Sequence, residues 1–275
     1  MVSAKRVPHM LRPLQPLSLF VLALFLYSSA APAAPQINSG VSAPPSVVVI
    51  GFVGGFVRHN DRVHSEVQLA EHLRKDFPSG VTVEMFENHR GKEAHQRVLE
   101  LLDTDRDGEV SGGEKESARI IIYGHSWGAS ETVNLARQLE KDGIPVLLTI
   151  QVDSISKGGQ NDTLIPANVA QAANFYQRNG LLHGAPAIHS ADPARTRIIG
   201  NFRFDYSAKP LRCEQYPWFS RTFMKSHIQI ECDPAVWNQV ESLVRSNLLP
   251  AATDASRQSF QRVDSSIANT VPRNR

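Results

Sequence analysis

The chain has 275 residues, of which 41% are hydrophobic and 20% are charged, so it can bury a large core and does not have a disordered composition. The formal net charge is +2, but residues 1–33 carry three basic side chains and no acidic one, which leaves a body with a net charge of −1. This near-neutral body argues against nucleic-acid binding, which needs a basic stripe, and two cysteines exclude a disulfide-dense scaffold or a four-thiolate zinc site.

Residues 1–33 have the pattern of a secretory signal peptide. Three basic residues precede an apolar run at 17–27, and small residues follow it up to Ala33. A membrane-spanning helix needs about 20 residues, so this run is too short to be one. We therefore expect cleavage after Ala33, or after Ala30, and export to the periplasm or out of the cell, with no membrane span in the mature chain. An uncleaved anchor is the alternative.

Residues 34–45 are uncharged and rich in Pro, Ala, Ser and Gly, which predicts a linker. Beyond them, short β-branched runs alternate with segments of helical apolar spacing. The predicted strands are 46–51, 81–86, 119–123, 145–152 and 196–202, and the predicted helices are 64–75, 92–102, 130–141, 166–177 and a last one from Asp233-Pro234 to Leu248.

This alternation predicts an α/β domain over 46–249, with a mostly parallel sheet that is covered by helices on both faces. Residues 250–275 are polar and lack periodicity, so we expect a flexible C-terminal tail.

Residues 103–114 match and resemble the twelve-residue calcium loop of an EF-hand, with Gly108 at the position of the sharp turn. The pattern predicts a structural calcium ion, although an acidic, solvated connection is the alternative and no second loop of this kind is present to pair with it. The candidate ligands are Asp103, Asp105, Asp107, the backbone carbonyl of Glu109, Ser111 and Glu114.

Residues 124–128 read Gly-His-Ser-Trp-Gly, directly after strand 119–123 and directly before a helix. In this context G-x-S-x-G is the pattern of a nucleophile elbow, a sharp turn that presents the serine hydroxyl at the carboxyl edge of the sheet. A glycine-rich turn with a structural serine is the alternative.

The acidic loop precedes strand 119–123, whereas the serine follows it, so the two lie at opposite ends of the strand. They are about 20 Å apart at about 3.3 Å per residue, so a calcium ion in the loop would stabilise the fold and would not polarise a substrate carbonyl.

With this elbow the chain resembles the α/β-hydrolase superfamily, in its lipase- and esterase-like branch, over residues 46–249. The resemblance implies an α/β-hydrolase fold, a Ser–acid–His triad in that chain order, and an oxyanion hole made by two backbone N–H groups. It calls for no organic cofactor and does not specify one substrate.

Ser126 is the candidate nucleophile within this resemblance. His227 lies a few residues before the last predicted helix, where the superfamily presents its general base, whereas His183 and His189 lie in a loop. We therefore expect His227 to be the base.

Asp153 ends the strand 145–152, on the same sheet edge as the serine, and is the preferred acid, with Asp162 and Asp205 as rivals. The oxyanion hole would use the N–H of Trp127, the residue after the nucleophile, and that of Phe52, which matches the family's donor in the loop after the first strand.

Together these features predict an exported, calcium-stabilised serine hydrolase that cleaves a carboxylic ester of a small molecule or a lipid. The alternatives are a non-catalytic binding module of the same fold, and the same triad acting on a thioester or an amide. Residues 157–195 and 203–226 are the expected walls of a substrate cleft. Trp218, Phe219 and Phe223 are candidates to line an acyl pocket, and aromatic packing in the core is the alternative for them.

Export also bears on the two cysteines. In an oxidising compartment Cys213 and Cys232 would form a disulfide, because no other cysteine competes, and two buried thiols are the alternative. No pattern in the sequence indicates an oligomeric state.

Overall fold

The computed structural model describes residues 47–248, and its centre is a six-stranded parallel sheet. The signal peptide, the linker and the C-terminal tail that the sequence predicts lie outside the described residues. In chain order the strands are β1 (Val47–Val53), β2 (Val81–Glu87), β3 (Arg119–His125), β4 (Val146–Val152), β5 (Leu164–Ile165), β6 (Val169–Gln177), β7 (His189–Ser190) and β8 (Arg197–Phe204).

The main sheet has the order β2-β1-β3-β4-β6-β8, and every neighbouring pair in it is parallel. The strands β5 and β7 form a separate parallel pair. The carboxyl ends of all six main strands therefore meet at one edge, where side chains from distant parts of the chain can converge.

Helices connect the first four strands in chain order and follow the last strand. They are α1 (Ser65–Asp76), α2 (Gly91–Leu102), α3 (Gly112–Ser117), α4 (Trp127–Lys141), α5 (Trp218–Phe223), α6 (Lys225–Glu231) and α7 (Pro234–Leu248). Across residues 47–248, none of them combines the length and the apolar character needed to cross a membrane.

Both faces of the sheet are buried. Val49 and Ile121 point to the face that α1 and α7 cover, whereas Ile50 and Ile122 point to the face that α2 and α4 cover. This follows from the alternation of side chains along a strand, and it explains why the central strands are apolar at every position. The structure confirms the predicted α/β class, with a parallel sheet and helices on both faces.

The segment 166–177 was predicted as a helix, and this prediction is wrong. Most of it is the strand β6, which pairs with both β4 and β8. Its alanines favour a helix locally, but Ala172, Ala173 and Phe175 are fully buried within the sheet. Pairing on both sides and burial therefore outweigh the local preference. The other predicted elements agree with the structure to within three residues at each end.

Candidate active site

Ser126 occupies the sharp turn between β3 and α4, at the carboxyl edge of the sheet. Its φ of 58° lies in the left-handed region, which costs a residue other than glycine about 1–3 kcal/mol. Hydrogen bonds hold the turn: the N–H of Ser126 donates to the carbonyl of Val152 at 3.0 Å, and its own carbonyl accepts from the N–H of Ala129 at 3.0 Å. The chain around the serine therefore imposes the strained conformation.

The two glycines of the motif are required by close backbone packing. A Cβ atom on Gly124 would lie 2.6 Å from the backbone of Gly128, and one on Gly128 would lie 2.4 Å from the carbonyl oxygen of Phe52. Real Cβ atoms do not approach backbone so closely, so the turn can pass against β1 only with glycine at both positions.

Three predicted residues converge at this turn from three separate elements. His227, on α6, places its Nε2 atom 2.8 Å from the Oγ atom of Ser126. Its Nδ1 atom lies 2.7 Å from Oδ2 of Asp153, which directly follows β4. A carboxylate only accepts hydrogen bonds, so Nδ1 carries the proton and Nε2 is left to accept one from the serine hydroxyl.

Asp153 is fully buried and has a φ of 44°. Besides His227, it accepts hydrogen bonds from the side-chain amide of Gln177 at 2.8 Å and from the N–H of Gly184 at 2.7 Å. Burial alone would raise the pKa of Asp153, but the hydrogen bond and charge of His227, with those of Gln177 and Gly184, hold it below its ordinary value. The carboxylate is therefore charged at neutral pH.

The rival residues lie elsewhere. Asp162 accepts hydrogen bonds from the hydroxyls of Ser154 and Ser156, and Asp205 bonds Asn179 and its own loop at the surface. Neither carboxylate bonds a histidine in the part of the chain that the structure describes. The two rival histidines also stay out of the site: His183 bonds the neighbouring backbone, and His189 lies in the short strand β7.

The structure places the two expected oxyanion donors differently. Trp127 begins α4, where first-turn N–H groups have no partner within the helix. Phe52, in contrast, is fully buried inside β1, packs on Phe86 and is paired on both sides, so its N–H does not face the site. The strand extends two residues further than predicted, to Val53, and the segment Gly54–Phe56 follows it and lines the cavity over Ser126. Gly54 lies directly against Ser126.

A cavity of about 680 Å³ opens over Ser126 and His227. Its wall is largely apolar, with Phe56, Trp127, Ile155, Leu182, Phe219 and Met224 among its residues. Of the three aromatic candidates for an acyl pocket, only Phe219 lines this cavity. Trp218 and Phe223 lie on the same short helix, α5, but are exposed and are not part of the cavity wall.

A second polar cluster, which the sequence did not indicate, lies beside the cavity and is built from His64, Glu66, His125 and Glu231. His64 hydrogen-bonds Glu231, and the ring of His125 lies 4.5 Å from that of His227. The only signal in the sequence was the presence of acidic residues at positions of apolar helical spacing.

Burial and neighbouring charges shift the pKa of every member of this cluster. Burial, and then the charge of Glu231, raise the pKa of Glu66 to about 8. Burial lowers the pKa of His125 to about 4. Burial would also lower the pKa of His64, but its hydrogen bond with Glu231 raises it to about 9.

The acidic loop brings together oxygen atoms of Asp103, Asp105 and Glu114, all within 4.8 Å of one another. The carboxylate of Asp103 accepts from the N–H groups of Asp107 and Gly108, and Gly108 has the left-handed φ of 92° that the turn position needs. An all-oxygen set of this kind fits calcium.

Glu114 has a second contact set, because it caps α3 with Ser111 and accepts hydrogen bonds from Thr104. These hydrogen bonds lower the pKa of Glu114 to about 2, and the bond from the Thr104 hydroxyl has the largest effect. The carboxylate is therefore charged. The expected ligands Asp107, Glu109 and Ser111 are not part of the three-carboxylate cluster.

Cys213 and Cys232 are joined by a disulfide, with Cα atoms 6.0 Å apart. The bond ties the loop before α5 to the end of α6, the helix that carries His227.

No family model matches the chain, and no curated protein is similar enough to count as a relative. Among solved structures, a cutinase-like protein from Cryptococcus sp. is 13% identical, with 77% of this chain and 98% of that chain covered and a TM-score of 0.41. A putative α/β-superfamily hydrolase from Xanthomonas campestris pv. campestris is 16% identical, with 73% and 99% covered and a TM-score of 0.37.

An acetyl xylan esterase is 12% identical to this chain, with 75% of this chain and 100% of that chain covered and a TM-score of 0.36. At such identities, and with TM-scores below 0.5, these likenesses carry no argument about function.

Proposed function

We propose that this protein is a serine hydrolase that cleaves a carboxylic ester, with Ser126 as nucleophile, His227 as general base and Asp153 as the orienting acid. The observation that carries the proposal is the buried chain of two hydrogen bonds, 2.8 Å from Ser126 to His227 and 2.7 Å from His227 to Asp153. Nucleophile, base and orienting group within hydrogen-bond reach are the geometry that covalent acyl transfer requires.

In the first half-reaction, Nε2 of His227 takes the hydroxyl proton of Ser126 while Oγ bonds to the carbonyl carbon of the ester. The carbonyl electron pair moves to its oxygen and forms a tetrahedral oxyanion. When this collapses, the bond to the leaving alkoxide breaks, and His227 donates its proton to that oxygen. An alcohol leaves, and Ser126 is acylated.

In the second half-reaction, His227 takes a proton from water, and the resulting hydroxide attacks the acyl carbon. Collapse releases the carboxylic acid and returns the proton to Oγ of Ser126. Throughout, the charged Asp153 stabilises the imidazolium of His227 and keeps the Nδ1 atom of that ring protonated. The lowered pKa of Asp153 matters for the reaction because it keeps the carboxylate charged.

The oxyanion needs donors that are already in position. The N–H of Trp127, at the start of α4, is one, and the positive end of the helix adds to it. We assign the second donor to the segment Gly54–Phe56, because it lines the cavity next to Ser126.

The cavity favours an ester with an apolar acyl part, from a small molecule or a lipid. Apolar side chains make up most of its wall, and burying a substrate against them contributes about 25 cal/mol per Å² of apolar surface.

A fluorophosphonate probe tests this proposal without assuming a substrate. We expect the mature protein to be labelled at one serine, the Ser126→Ala variant to remain unlabelled, and the control Ser130→Ala to be labelled normally. Ser130 is a buried serine on α4 that bonds Gln160 rather than a histidine. Absence of labelling in the folded wild type would favour the non-catalytic binding module. Nitrophenyl ester, thioester and amide substrates with the same acyl chain would then establish the bond that is cleaved.

We also propose a structural calcium ion at Asp103, Asp105 and Glu114, supported by the convergence of their oxygens and by the twelve-residue pattern. Calcium at one hundred times its Kd would add about 2.7 kcal/mol to the free energy of unfolding. We expect calcium to raise the Tm of the wild type but not that of Asp103→Asn. The control Asp76→Asn, at the end of α1, should respond as the wild type does.

Export completes the proposal. It is supported by the composition of residues 1–33 and is compatible with the disulfide between Cys213 and Cys232. N-terminal sequencing of the protein from periplasmic and secreted fractions tests it, and a mature chain that starts at Ala34 is the expected result.

A further inference from the structure

Glu66 lies in the first turn of α1 and is completely buried. Neither of its carboxylate oxygens has a hydrogen-bond partner. The N–H groups of Glu66 itself and of Gly54 lie near enough to lower its pKa, but neither meets the geometry of a hydrogen bond to its oxygens. Burying a carboxylate whose oxygens lack hydrogen-bond partners is costly in free energy, so a proton, a partner or a cation has to neutralise Glu66.

Two more ligating side chains face this carboxylate. Ligand atoms of His64, Glu66 and Glu231 all lie within 4.8 Å of one another. Glu231 comes from α6 and is buried, while His64 precedes α1 and has 13% of its side chain exposed. Two buried carboxylates in one site repel each other when both are charged. The hydrogen bond between His64 and Glu231 leaves the carboxyl group of Glu66 without a hydrogen-bond partner.

A proton on Glu66 would turn one oxygen into an O–H donor, which itself needs an acceptor, and would leave the other oxygen without a donor. A divalent cation would bind oxygens of both carboxylates and replace the proton on the imidazole of His64. The positive end of α1 works against a cation, but it contributes only about half an elementary charge, whereas Glu231 and Glu66, once the cation has displaced the proton of Glu66, contribute two negative charges.

We propose that His64, Glu66 and Glu231 bind a divalent transition-metal ion. One imidazole nitrogen and two carboxylate oxygens fit zinc, which takes three protein ligands and one open position in sites that water can reach. His64 and Glu231 also line the cavity over Ser126, so an ion can enter from that side and a water can complete its coordination.

The ion would link two parts of the site. Glu231 is four residues after His227 on α6, so the two lie on the same side of that helix, one turn apart. An ion held between α6 and the start of α1 would fix the helix that presents His227. The site itself does not depend on the proposed hydrolase activity.

Cobalt is the probe, because Co²⁺ with nitrogen and oxygen ligands in a four-coordinate site absorbs visible light. The mature protein, which comprises residues 34–275, is freed of metal and saturated with calcium to fill the acidic loop. It is then titrated with Co²⁺. We expect a visible band that saturates at one equivalent and is displaced by one equivalent of Zn²⁺. Glu66→Gln and His64→Gln should each weaken Co²⁺ binding at least tenfold.

The controls are Glu131→Gln, a buried glutamate that pairs with Lys157, and His95→Gln, which removes the pair with Asp142. Both should keep the band. Circular dichroism establishes that each variant is folded, and if Glu66→Gln does not fold, His64→Gln decides. No band in the wild type, or a band that survives in either folded test variant, would overturn the proposal.

Discussion

Ser126 and Asp153 directly follow the neighbouring strands β3 and β4, and both have backbones in the left-handed region, with φ of 58° and 44°. Each bonds the next strand of the sheet: the N–H of Ser126 donates to Val152, and that of Asp153 donates to Phe175. Strained residues persist only where the surrounding structure over-determines them, so the sheet edge holds both side chains in the positions from which they reach His227.

The close packing of the elbow predicts the effect of one added methyl group. Gly128→Ala would push a Cβ atom against the backbone of β1, with 2.4 Å to the carbonyl oxygen of Phe52. We expect a loss of about 1–3 kcal/mol or more in the free energy of unfolding, measured in urea, and a displaced Ser126. Gly158→Ala is the matched control, since nothing lies within 4 Å of its Cβ position. Equal stability of the two variants would contradict the elbow geometry.

The pKa of Asp153 predicts how stability depends on pH. Because this pKa is lower in the folded protein than the ordinary value of 3.8, the charged form stabilises the fold above that value. The contribution should be lost as pH falls below 3.8 and through the folded pKa. Asp153→Asn lacks it, so the stability gap between wild type and variant should shrink in acid. Urea titrations between pH 3 and pH 7 measure the gap, and a gap that stays constant would be the contrary result.

Asp153→Asn should also lower kcat strongly, by about 10⁴-fold, because an asparagine at this position no longer favours the proton on Nδ1 of His227. Asp162→Asn and Asp205→Asn, at the rival positions, should leave kcat within a few-fold of the wild type. A larger loss in either rival than in Asp153→Asn would reassign the acid.

Phe219 predicts a dependence on acyl length. It lines the cavity, so Phe219→Ala should raise KM for a long-chain ester about fivefold and leave a short-chain ester almost unchanged, which corresponds to about 1 kcal/mol of lost apolar contact. Phe223→Ala is the control, because Phe223 lies on the same helix but outside the cavity. Similar KM values for the two variants would place the acyl chain elsewhere.

The disulfide predicts a difference between oxidised and reduced protein. Replacing both Cys213 and Cys232 by alanine should cost about 3 kcal/mol in the free energy of unfolding, since the bond closes a loop across 19 positions of the chain. Thermal unfolding with and without reductant should give the same loss in the wild type and none in the double variant. A Tm that reductant does not change would mean that the bond has no stabilising role.

Features that depend on local pattern could be predicted from the amino-acid sequence. Apolar strands and helical spacing predicted the parallel α/β arrangement, and G-x-S-x-G between a strand and a helix placed Ser126 at the turn. The position of Asp153 at the end of a strand put it on the edge that carries Ser126, because parallel strands end at one edge, whereas His227 was proposed from the resemblance to the α/β-hydrolase superfamily.

Features that arise from strand pairing and burial could not be predicted in this way, and the folded structure revealed them. It made 166–177 a strand, since two neighbouring strands outweigh the helical preference of its alanines. It extended β1 past Phe52 and brought Gly54–Phe56 to the cavity. It also assembled His64, Glu66 and Glu231, which come from distant parts of the chain. No local pattern encodes such contacts, because they exist only when α1 and α6 are packed together on the folded sheet.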